Sequence, residues 1–332
     1  MGIHEKNTAS IVNIYFIGHL AVDSIVRFNQ KRKPSLGGSV TFGSLSLKKY
    51  EKTAKIGIIS NLGTLNFDKT LLKRFDDKGI DLRGVKSLEV ANTKFILDYT
   101  DHSRTLTLKS RSPDLKFKDI PDIYLSNPPQ IIVLAPLCNE ISYEYVSKIL
   151  EKFPKAYIGI DLQGFIRNID EHGKVLYIRE ESIIETIKKI IRLIGDKLIL
   201  KGSEIEMKIL SNLEDPNKIL DWCKIFDNNA IYINTMGEAG SMIMKCGEDI
   251  IRIPAYKPKR VVDETGPGDV YLAIFLYELI NSDMSWRKIE EIGYIASAAA
   301  SFLVEKKGPK GFETKKEVMK RVRNKNYINN SY

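Results

Sequence analysis

Cysteine is scarce in this sequence, and the positions of the cysteines suit neither disulfides nor zinc. The three cysteines among 332 residues, Cys138, Cys223 and Cys246, show no Cys-x-x-Cys spacing and no spacing typical of Cys/His ligands. This pattern excludes a disulfide framework and a structural zinc site. Scattered thiols are typical of a reducing compartment, so we expect a cytoplasmic protein.

Long hydrophobic runs are lacking as well. The apolar run at residues 11–17 ends at Gly18 and is far too short to cross a bilayer, so it predicts a buried strand. No internal repeat, low-complexity stretch or Pro/Gly/Ser-rich linker divides the chain. These absences favour a single globular domain that makes no membrane contact.

Basic residues outnumber acidic ones, with 51 Lys and Arg against 42 Asp and Glu and a formal net charge of +9. Such an excess suits nucleic acid but equally suits polyanionic small molecules such as nucleotides. The basic residues cluster at 31–33 and 315–325, and no pattern of stacking aromatic residues accompanies them. A solvated lysine-rich surface is the simpler interpretation, and nucleic acid is not favoured as a partner.

Short apolar segments alternate with longer amphipathic stretches over most of the chain. The expected strands include residues 11–17, 54–59, 131–134, 156–160, 198–200 and 231–233. This alternation predicts an α/β fold, with a mostly parallel sheet and helices on both faces. An edge hairpin formed by 241–245 and 250–253 and two helices, roughly 268–280 and 288–304, are expected to follow.

A separate hairpin is expected where residues 93–99 and 105–109 flank a polar turn. Its β-rich composition and polar tip make it a candidate lid over a binding site. His102 lies in the turn, and we interpret it as solvated rather than catalytic.

The most informative segment is 263–269, with the sequence DETGPGD, which an apolar helical pattern follows at once. A glycine-rich loop that opens a helix leaves backbone N–H groups unpaired and favours an anion such as phosphate. Asp269 would then be placed to accept a proton from an alcohol that attacks this phosphate. An ordinary turn with Asp269 as a helix cap is the alternative, and the segment alone leaves both open.

This segment resembles the DTxGxGD signature of the ribokinase-like (PfkB) carbohydrate kinases. The matching residues are Asp263, Thr265, Gly266, Gly268 and Asp269. The resemblance implies a ribokinase-like fold with one domain at 1–314, lid strands at roughly 18–42 and 91–110, and a basic tail at 315–332. It also implies an ATP- and Mg²⁺-dependent kinase, with Asp269 as the base and Gly266, Pro267 and Gly268 as the anion hole. Members often pair their lids, so a homodimer is expected.

The family's substrate site is matched by Asp23 and by the glycine pair Gly37 and Gly38, although an aspartate like Asp23 is also common in turns. Phe42 stands in the region where the family commonly has a hydroxyl-binding asparagine, which argues against ribose. Residues 161–167 resemble an Asp-x-Gln-x-x-x-Arg pattern of myo-inositol kinases, and Arg167 would pin a hydroxyl or phosphate. The resemblance therefore implies a sugar or cyclitol as substrate, with a nucleoside as the alternative.

The nucleotide side of the site also has counterparts in this sequence. Lys201, Ser203 and Glu206 resemble the family's NxxE element, in which the glutamate organises the hydration shell of Mg²⁺. Ser203 replaces the usual asparagine, and a helix N-cap is its other interpretation. The residues assigned to the donor by resemblance are Thr235, Gly237 and Gly240 of a TxGxxG turn, together with Thr265. Asp263 is a candidate for binding a monovalent cation such as K⁺.

Other enzyme classes fit this sequence less well. The first strand is not followed by GxGxxG, and no GxxxxGK[ST] segment is present, which argues against a dehydrogenase and a P-loop enzyme. No nucleophile elbow is present either, which argues against a Ser/His/Asp hydrolase. A binding protein that keeps the fold without catalysis stays open, although binding alone does not require Asp269. Asn139 and Glu140 are interpreted as a helix start outside the site.

Overall fold

The computed structural model describes residues 13–27, 30–31, 34–100, 103–177 and 180–328. Some expected features lie outside these ranges. They are residues 11 and 12 of the first strand, six residues of the lid (28, 29, 32, 33, 101 and His102) and the end of the tail (329–332). Within them, no helix is both long enough and apolar enough to cross a bilayer.

The strands in the described ranges are mostly short. They are β1 (Asn13–Ile17), β2 (Ala21–Arg27), β3 (Gln30–Lys31), β4 (Ser35–Gly37), β5 (Lys55–Gly63), β6 (Asp81–Leu88), β7 (Lys94–Thr100), β8 (Ser103–Ser110), β9 (Ile131–Leu134), β10 (Tyr157–Asp161), β11 (Arg167–Ile169), β12 (Val175–Tyr177), β13 (Leu198–Ser203), β14 (Ile231–Thr235), β15 (Ser241–Lys245) and β16 (Ile251–Ile253).

The α-helices are interspersed among these strands. They are α1 (Ser39–Tyr50), α2 (Lys73–Asp76), α3 (Asp122–Leu125), α4 (Tyr143–Lys152), α5 (Glu181–Ile194), α6 (Glu204–Ser211), α7 (Pro216–Trp222), α8 (Pro267–Ile280), α9 (Trp286–Leu303) and α10 (Lys315–Asn324).

The main sheet has nine strands in the order β16-β15-β14-β13-β10-β9-β1-β5-β6. From β14 to β6 neighbouring strands run parallel, whereas β15 and β16 form an antiparallel edge. Continuous apolar runs such as Ile131–Leu134 suit interior strands because both faces of such a sheet are covered. The prediction of a mostly parallel α/β sheet with an antiparallel edge hairpin is confirmed.

Two hydrophobic cores lie on the two faces of this sheet. Ile131 and Val133 of β9 join the core that contains residues of α1, α8 and α9, whereas Ile132 and Leu134 join the core with α4 to α7. This split follows from the alternation of side chains along a strand. On α5 the buried isoleucines recur every three or four residues, which places them on one helical face.

A smaller mixed sheet stands apart from the main one and forms the lid. Strand β2 runs parallel to β7 and antiparallel to β3 and β4, and β7 pairs with β8 as the predicted hairpin. The expected lid range of 18–42 extended too far, because helix α1 begins at Ser39 directly after Gly38. Gly38 has φ of 88°, a left-handed conformation that glycine adopts easily and that turns the chain into the helix.

The segment expected as a basic tail begins with helix α10, which packs against α9. Val318 is 1% exposed, and Arg321 pairs with Glu305 at 2.6 Å. The Thr314 side chain caps the helix by accepting the N–H of Glu317. The positive charges of this segment therefore lie on a folded helix whose other face is covered.

Candidate active site

Polar residues lie where the parallel strands of the main sheet end. Asp161 ends β10, Ser203 ends β13 and Thr235 ends β14. Ligands of open α/β sheets bind outside this edge because loops and helix N-termini meet there. Helix α8 contributes its N-terminus to the same place, since a Cβ atom on Gly268 would lie 2.7 Å from Lys201 Nζ at the end of β13.

Two cavities meet at this edge, and we call them the acceptor cavity and the donor cavity. The acceptor cavity measures about 220 Å³ and reaches from α8 to the lid, where Phe95, Leu97 and Leu106 line it. The donor cavity measures about 450 Å³ and lies between the β14–β15 turn, α8 and α9. Thr235, Glu264, Pro267 and Gly268 line both of them.

Most of the residues singled out in the sequence line one of these cavities. The acceptor cavity is lined by Asp23, Gly38, Arg167, Lys201, Ser203, Glu206, Thr235, Thr265, Gly266, Pro267, Gly268 and Asp269. The donor cavity adds Gly237 and Gly240. Gly37 and Asp263 line neither cavity.

The loop before α8 is shaped by glycine and proline. Gly266 caps the helix with φ of 86°, and Pro267 occupies the first helical turn, where its missing N–H costs little. Asp269 follows in the same turn, and its N–H bonds the Gly266 carbonyl at 3.1 Å. Backbone N–H groups and the helix dipole therefore make this end of α8 favourable for an anion.

Asp269 lies beside the buried ion pair of Asp161 and Lys201. Lys201 Nζ donates to Asp161 Oδ2 at 2.8 Å, and both side chains are nearly inaccessible to solvent. Burial first, and then the negative charge of Asp161, raise the pKa of Asp269 to about 8, against the opposite effect of Lys201. Burial would lower the pKa of Lys201, but these two carboxyl groups and Glu206 outweigh it and raise that pKa.

Ser203 and Glu206 form a reciprocal cap at the start of α6. The Glu206 N–H donates to Ser203 Oγ at 3.4 Å, and Glu206 Oε2 accepts the Ser203 N–H at 2.7 Å. Ser203 is therefore the N-cap of α6, which was the second interpretation of this residue. Glu206 is only 5% exposed, and burial above all raises the pKa of its carboxyl group.

Asp23 and the glycine pair come together in and next to the lid sheet, since Asp23 belongs to β2, Gly37 ends β4 and Gly38 follows it. Asp23 lies in strand β2 opposite Ser35, so it does not occupy a turn. Its carboxylate covers Gly37, where a Cβ atom would lie 1.9 Å from Asp23 Oδ2. Arg167 begins β11 nearby, with Nη1 donating to the Leu137 carbonyl at 3.2 Å.

A family model described as pfkB family carbohydrate kinase matches residues 46–316. The chain belongs to the pfkB family of carbohydrate kinases. It is a phosphotransferase with the ribokinase-like α/β fold. The family that residues 263–269 indicated is thereby confirmed.

Individual relatives agree with this assignment. An uncharacterized sugar kinase of Pyrococcus horikoshii is 23% identical over 92% of this chain and 94% of its own, and its structure in complex with ATP superposes with a TM-score of 0.70. A nucleoside kinase of Methanocaldococcus jannaschii is 41% identical, but only over 23% of this chain and 24% of its own.

Another solved structure shares the fold of this kinase. It is a pyrophosphate-dependent kinase in the ribokinase family, complexed with a pyrophosphate analog and myo-inositol. The two chains are 20% identical, with a TM-score of 0.72 and coverage of 92% of this chain and 99% of the other.

Sequence reasoning missed several residues that line the kinase's acceptor cavity. Gln163 Nε2 donates to Ser39 Oγ at 3.2 Å, and the Ser39 hydroxyl also bonds Asp269. Asp161 and Gln163 were within the Asp-x-Gln pattern but were not assigned to the site. Nothing in the sequence marked Ser39 as a site residue except its position directly after the glycine pair. The apolar lid residues could not be assigned to the cavity, because their position there depends on how the lid packs on the main sheet.

Glu140 does not line the acceptor cavity but holds the backbone of Leu137, which does. Its fully buried carboxylate accepts N–H bonds from His19, Leu137 and Cys138 at 2.8–3.0 Å. Burial would raise the pKa of Glu140, but His19 and these N–H bonds outweigh it and lower that pKa. The helix-start interpretation is wrong, because α4 begins at Tyr143 and is capped by Ser142.

Proposed function

We propose that this kinase transfers the γ-phosphoryl group of ATP to a hydroxyl of a small sugar or cyclitol, with Asp269 as the general base. One observation carries the proposal: Asp269 lies at the α8 N-terminus, next to residues that line both cavities. An alcohol and a γ-phosphate brought to this junction meet beside a carboxylate and an anion-stabilising helix end.

The donor cavity has two chemically different kinds of wall. The Thr235–Gly240 turn and the backbone of Pro267 and Gly268 suit phosphates. Apolar residues of the lining, such as Ala255, Ala300 and Val304, suit a flat nucleobase. This combination supports a nucleoside triphosphate as donor rather than pyrophosphate, which needs no apolar slot.

The acceptor cavity combines hydroxyl-binding groups with apolar walls. Asp23 and Arg167 offer an acceptor and a donor for neighbouring hydroxyls, and Gly38 lets the backbone approach the ring. During transfer the hydroxyl proton passes to Asp269, the hydroxyl oxygen bonds to phosphorus, and the bond from phosphorus to the ADP oxygen breaks. Closure of the lid would exclude water, which would otherwise compete as acceptor.

Two cations fit the residues near the donor phosphates. Glu206 faces the acceptor cavity with a buried carboxylate, which suits Mg²⁺ held through water. A magnesium ion would supply neutralising charge for the phosphates when bound. Asp263 accepts the N–H groups of Thr265 and Gly308, while the buried Thr265 hydroxyl has no hydrogen-bond partner among the described residues. That hydroxyl supports the expectation of K⁺ beside Asp263.

A nucleoside is the second candidate acceptor. Phe42 and the lid residues Phe95, Leu97 and Leu106 give the acceptor cavity an apolar wall that could pack on a base. The local similarity to a nucleoside kinase points the same way.

An acceptor screen with ATP tests the proposed function. ADP release is measured with inositols, hexoses, pentoses, 2-keto-3-deoxy sugars and nucleosides for wild type, Asp269→Asn and the control Asp122→Asn, which changes an exposed aspartate of α3. We expect turnover with a sugar or cyclitol that falls about 100-fold or more in Asp269→Asn only. Full activity of Asp269→Asn would refute its role as base, and turnover of nucleosides alone would select the second candidate.

We also propose that this kinase forms a homodimer through its lid sheets. Open sheet edges such as those of a small lid are commonly covered by a partner strand or sheet. The mass in solution tests this expectation, and a monomer at all concentrations would contradict it.

A further inference from the structure

The C-terminal segment after helix α10 reaches the donor cavity. Lys325 has φ of 47° and turns the chain back at the end of the helix. The Lys257 N–H then donates to Asn326 O at 2.9 Å, and the Ile328 N–H donates to Ala255 O at 2.8 Å. Two backbone bonds therefore hold residues 326–328 beside the loop that carries Ala255 and Tyr256.

Aromatic contacts reinforce this placement. Tyr327 pairs with Tyr256 as an isolated antiparallel bridge, and their ring centroids lie 4.9 Å apart. Tyr327 also contacts Tyr294 of α9, with centroids 6.1 Å apart. The segment is thus packed on both the loop and the helix that contribute apolar residues to the donor cavity.

Helix α10 fixes the same walls through Arg321. Its guanidinium donates to Glu305 Oε1 at 2.6 Å and to Ser301 Oγ at 2.8 Å, and Ser301 lines the donor cavity. Glu305 Oε1 also accepts the N–H of Lys259 at 2.9 Å. Arg321 therefore connects α10, α9 and, through Glu305, the 255–260 loop.

Ile328 is the residue through which the segment enters the cavity. It lines the cavity together with Ala255, Val261, Ala300 and Val304. The hydroxyls of Ser297 and Ser301, which line the same cavity, already donate to the backbone carbonyls of Pro254 and Ala298. Apolar contact is therefore the main interaction that these side chains can offer a ligand.

We propose that residues 325–328 form a wall of the nucleobase site, in which Ile328 contacts the base of the nucleoside triphosphate and thereby determines preference for a nucleotide over an inorganic donor. The inference rests on the proposed use of ATP. It assigns a function to a stretch that the family match, which ends at residue 316, does not include.

Binding measurements test this role without an acceptor. The dissociation constants of ATP and of inorganic tripolyphosphate are measured by calorimetry for wild type, Ile328→Ser, Ile328→Val and Ile225→Ser. Ile225 is 51% exposed and lines neither cavity, so its variant controls for the same loss of apolar surface elsewhere. We expect Ile328→Ser to weaken ATP about tenfold and tripolyphosphate less than about twofold, with Ile328→Val and the control close to wild type.

Other results would overturn the role of Ile328. Equal weakening of both ligands would show a general structural effect, and unchanged ATP binding would show that Ile328 does not contact the base. A wild-type protein that binds tripolyphosphate but not ATP would overturn the nucleobase site itself. That last result is distinguishable from failure of the kinase proposal, because phosphorylation of an acceptor by an inorganic donor would still be detected.

Discussion

The ring of Phe42 packs directly against Gly266, so that a Cβ atom at position 266 would lie 2.4 Å from Phe42 Cδ1. Phe42 is itself fixed, being 2% exposed and in edge contact with Phe312. Position 266 therefore requires glycine for two reasons, the space beside Phe42 and the positive φ of 86°. Through this contact α1, the helix that follows lid strand β4, sets the position of the loop that opens α8.

Gly266→Ala should reduce phosphoryl transfer strongly. The added methyl group must displace either Phe42 or the loop, and a shift of the backbone N–H groups weakens stabilisation of charge in the transition state. We expect kcat to fall about 100-fold or more while the protein stays folded, as checked by steady-state kinetics and thermal unfolding.

Gly79→Ala is the matched control, because Gly79 also has a positive φ of 66° but has nothing within 4 Å of an added Cβ. Its variant bears only the backbone strain and should keep wild-type kcat. Equal kcat values for the two variants would contradict a role for the contact between Phe42 and Gly266.

The activity should rise with pH through the titration of Asp269. A general base must be deprotonated, and the pKa of this carboxyl group lies at about 8 because of burial and the charge of Asp161. We therefore expect kcat/KM for the acceptor to increase between about pH 6 and pH 9. A profile that stays flat across this range would contradict the assignment.

Asp161→Asn should move this profile to lower pH. Replacing Asp161 removes the negative charge that raises the pKa of Asp269, and it leaves Lys201 free to stabilise the Asp269 carboxylate instead. A midpoint that moves upward or does not move would show that Asp161 is not coupled to the base. Asp122→Asn is the control, since Asp122 is exposed on α3 and its variant should keep the wild-type midpoint.

Glu140→Gln should destabilise the protein and weaken acceptor binding. The amide has one oxygen to accept the N–H groups of His19, Leu137 and Cys138, and its NH₂ group would face donors. We expect the free energy of unfolding to fall by about 2–4 kcal/mol in urea titrations, in line with buried charged hydrogen bonds. KM for the acceptor should rise because Leu137 lines the cavity and accepts from Arg167.

The control for this change is Glu144→Gln, which alters an exposed glutamate of α4 that pairs with Lys148 at the surface. Such pairs contribute little, so its unfolding energy should stay within about 0.5 kcal/mol of wild type. A Glu140→Gln protein as stable as this control would contradict the role of Glu140.

The sequence predicted the sheet better than its surroundings. Apolar runs located interior strands such as β9 and β14 almost to the residue, because burial on both faces leaves an unbroken signal. Strand β6 is interrupted by exposed polar residues, and strands β11 and β12 have only three residues each, so no such run marked them. Helix α10 was missed because its charged residues outnumber its single buried residue, Val318.

The part of the candidate site that is formed by one short segment could be predicted from the sequence. The spacing of the glycines and Asp269 before α8 is typical of a loop that binds an anion with its backbone. The contacts of Asp269 with Ser39, Asp161 and Lys201 could not be predicted, since these three residues come from distant parts of the chain. Their meeting depends on strand order, which a local pattern does not contain.

The lid is assembled from two pieces of chain that are far apart in sequence. Strands β2 to β4 precede α1, β5 and β6, whereas β7 and β8 follow them, and the pieces meet along the parallel pairing of Val22–Arg27 with Lys94–Tyr99. A chimera that exchanges one piece alone would therefore disrupt the central pairing of the lid. Grafting the lid of another kinase onto this body requires both pieces to be transplanted together.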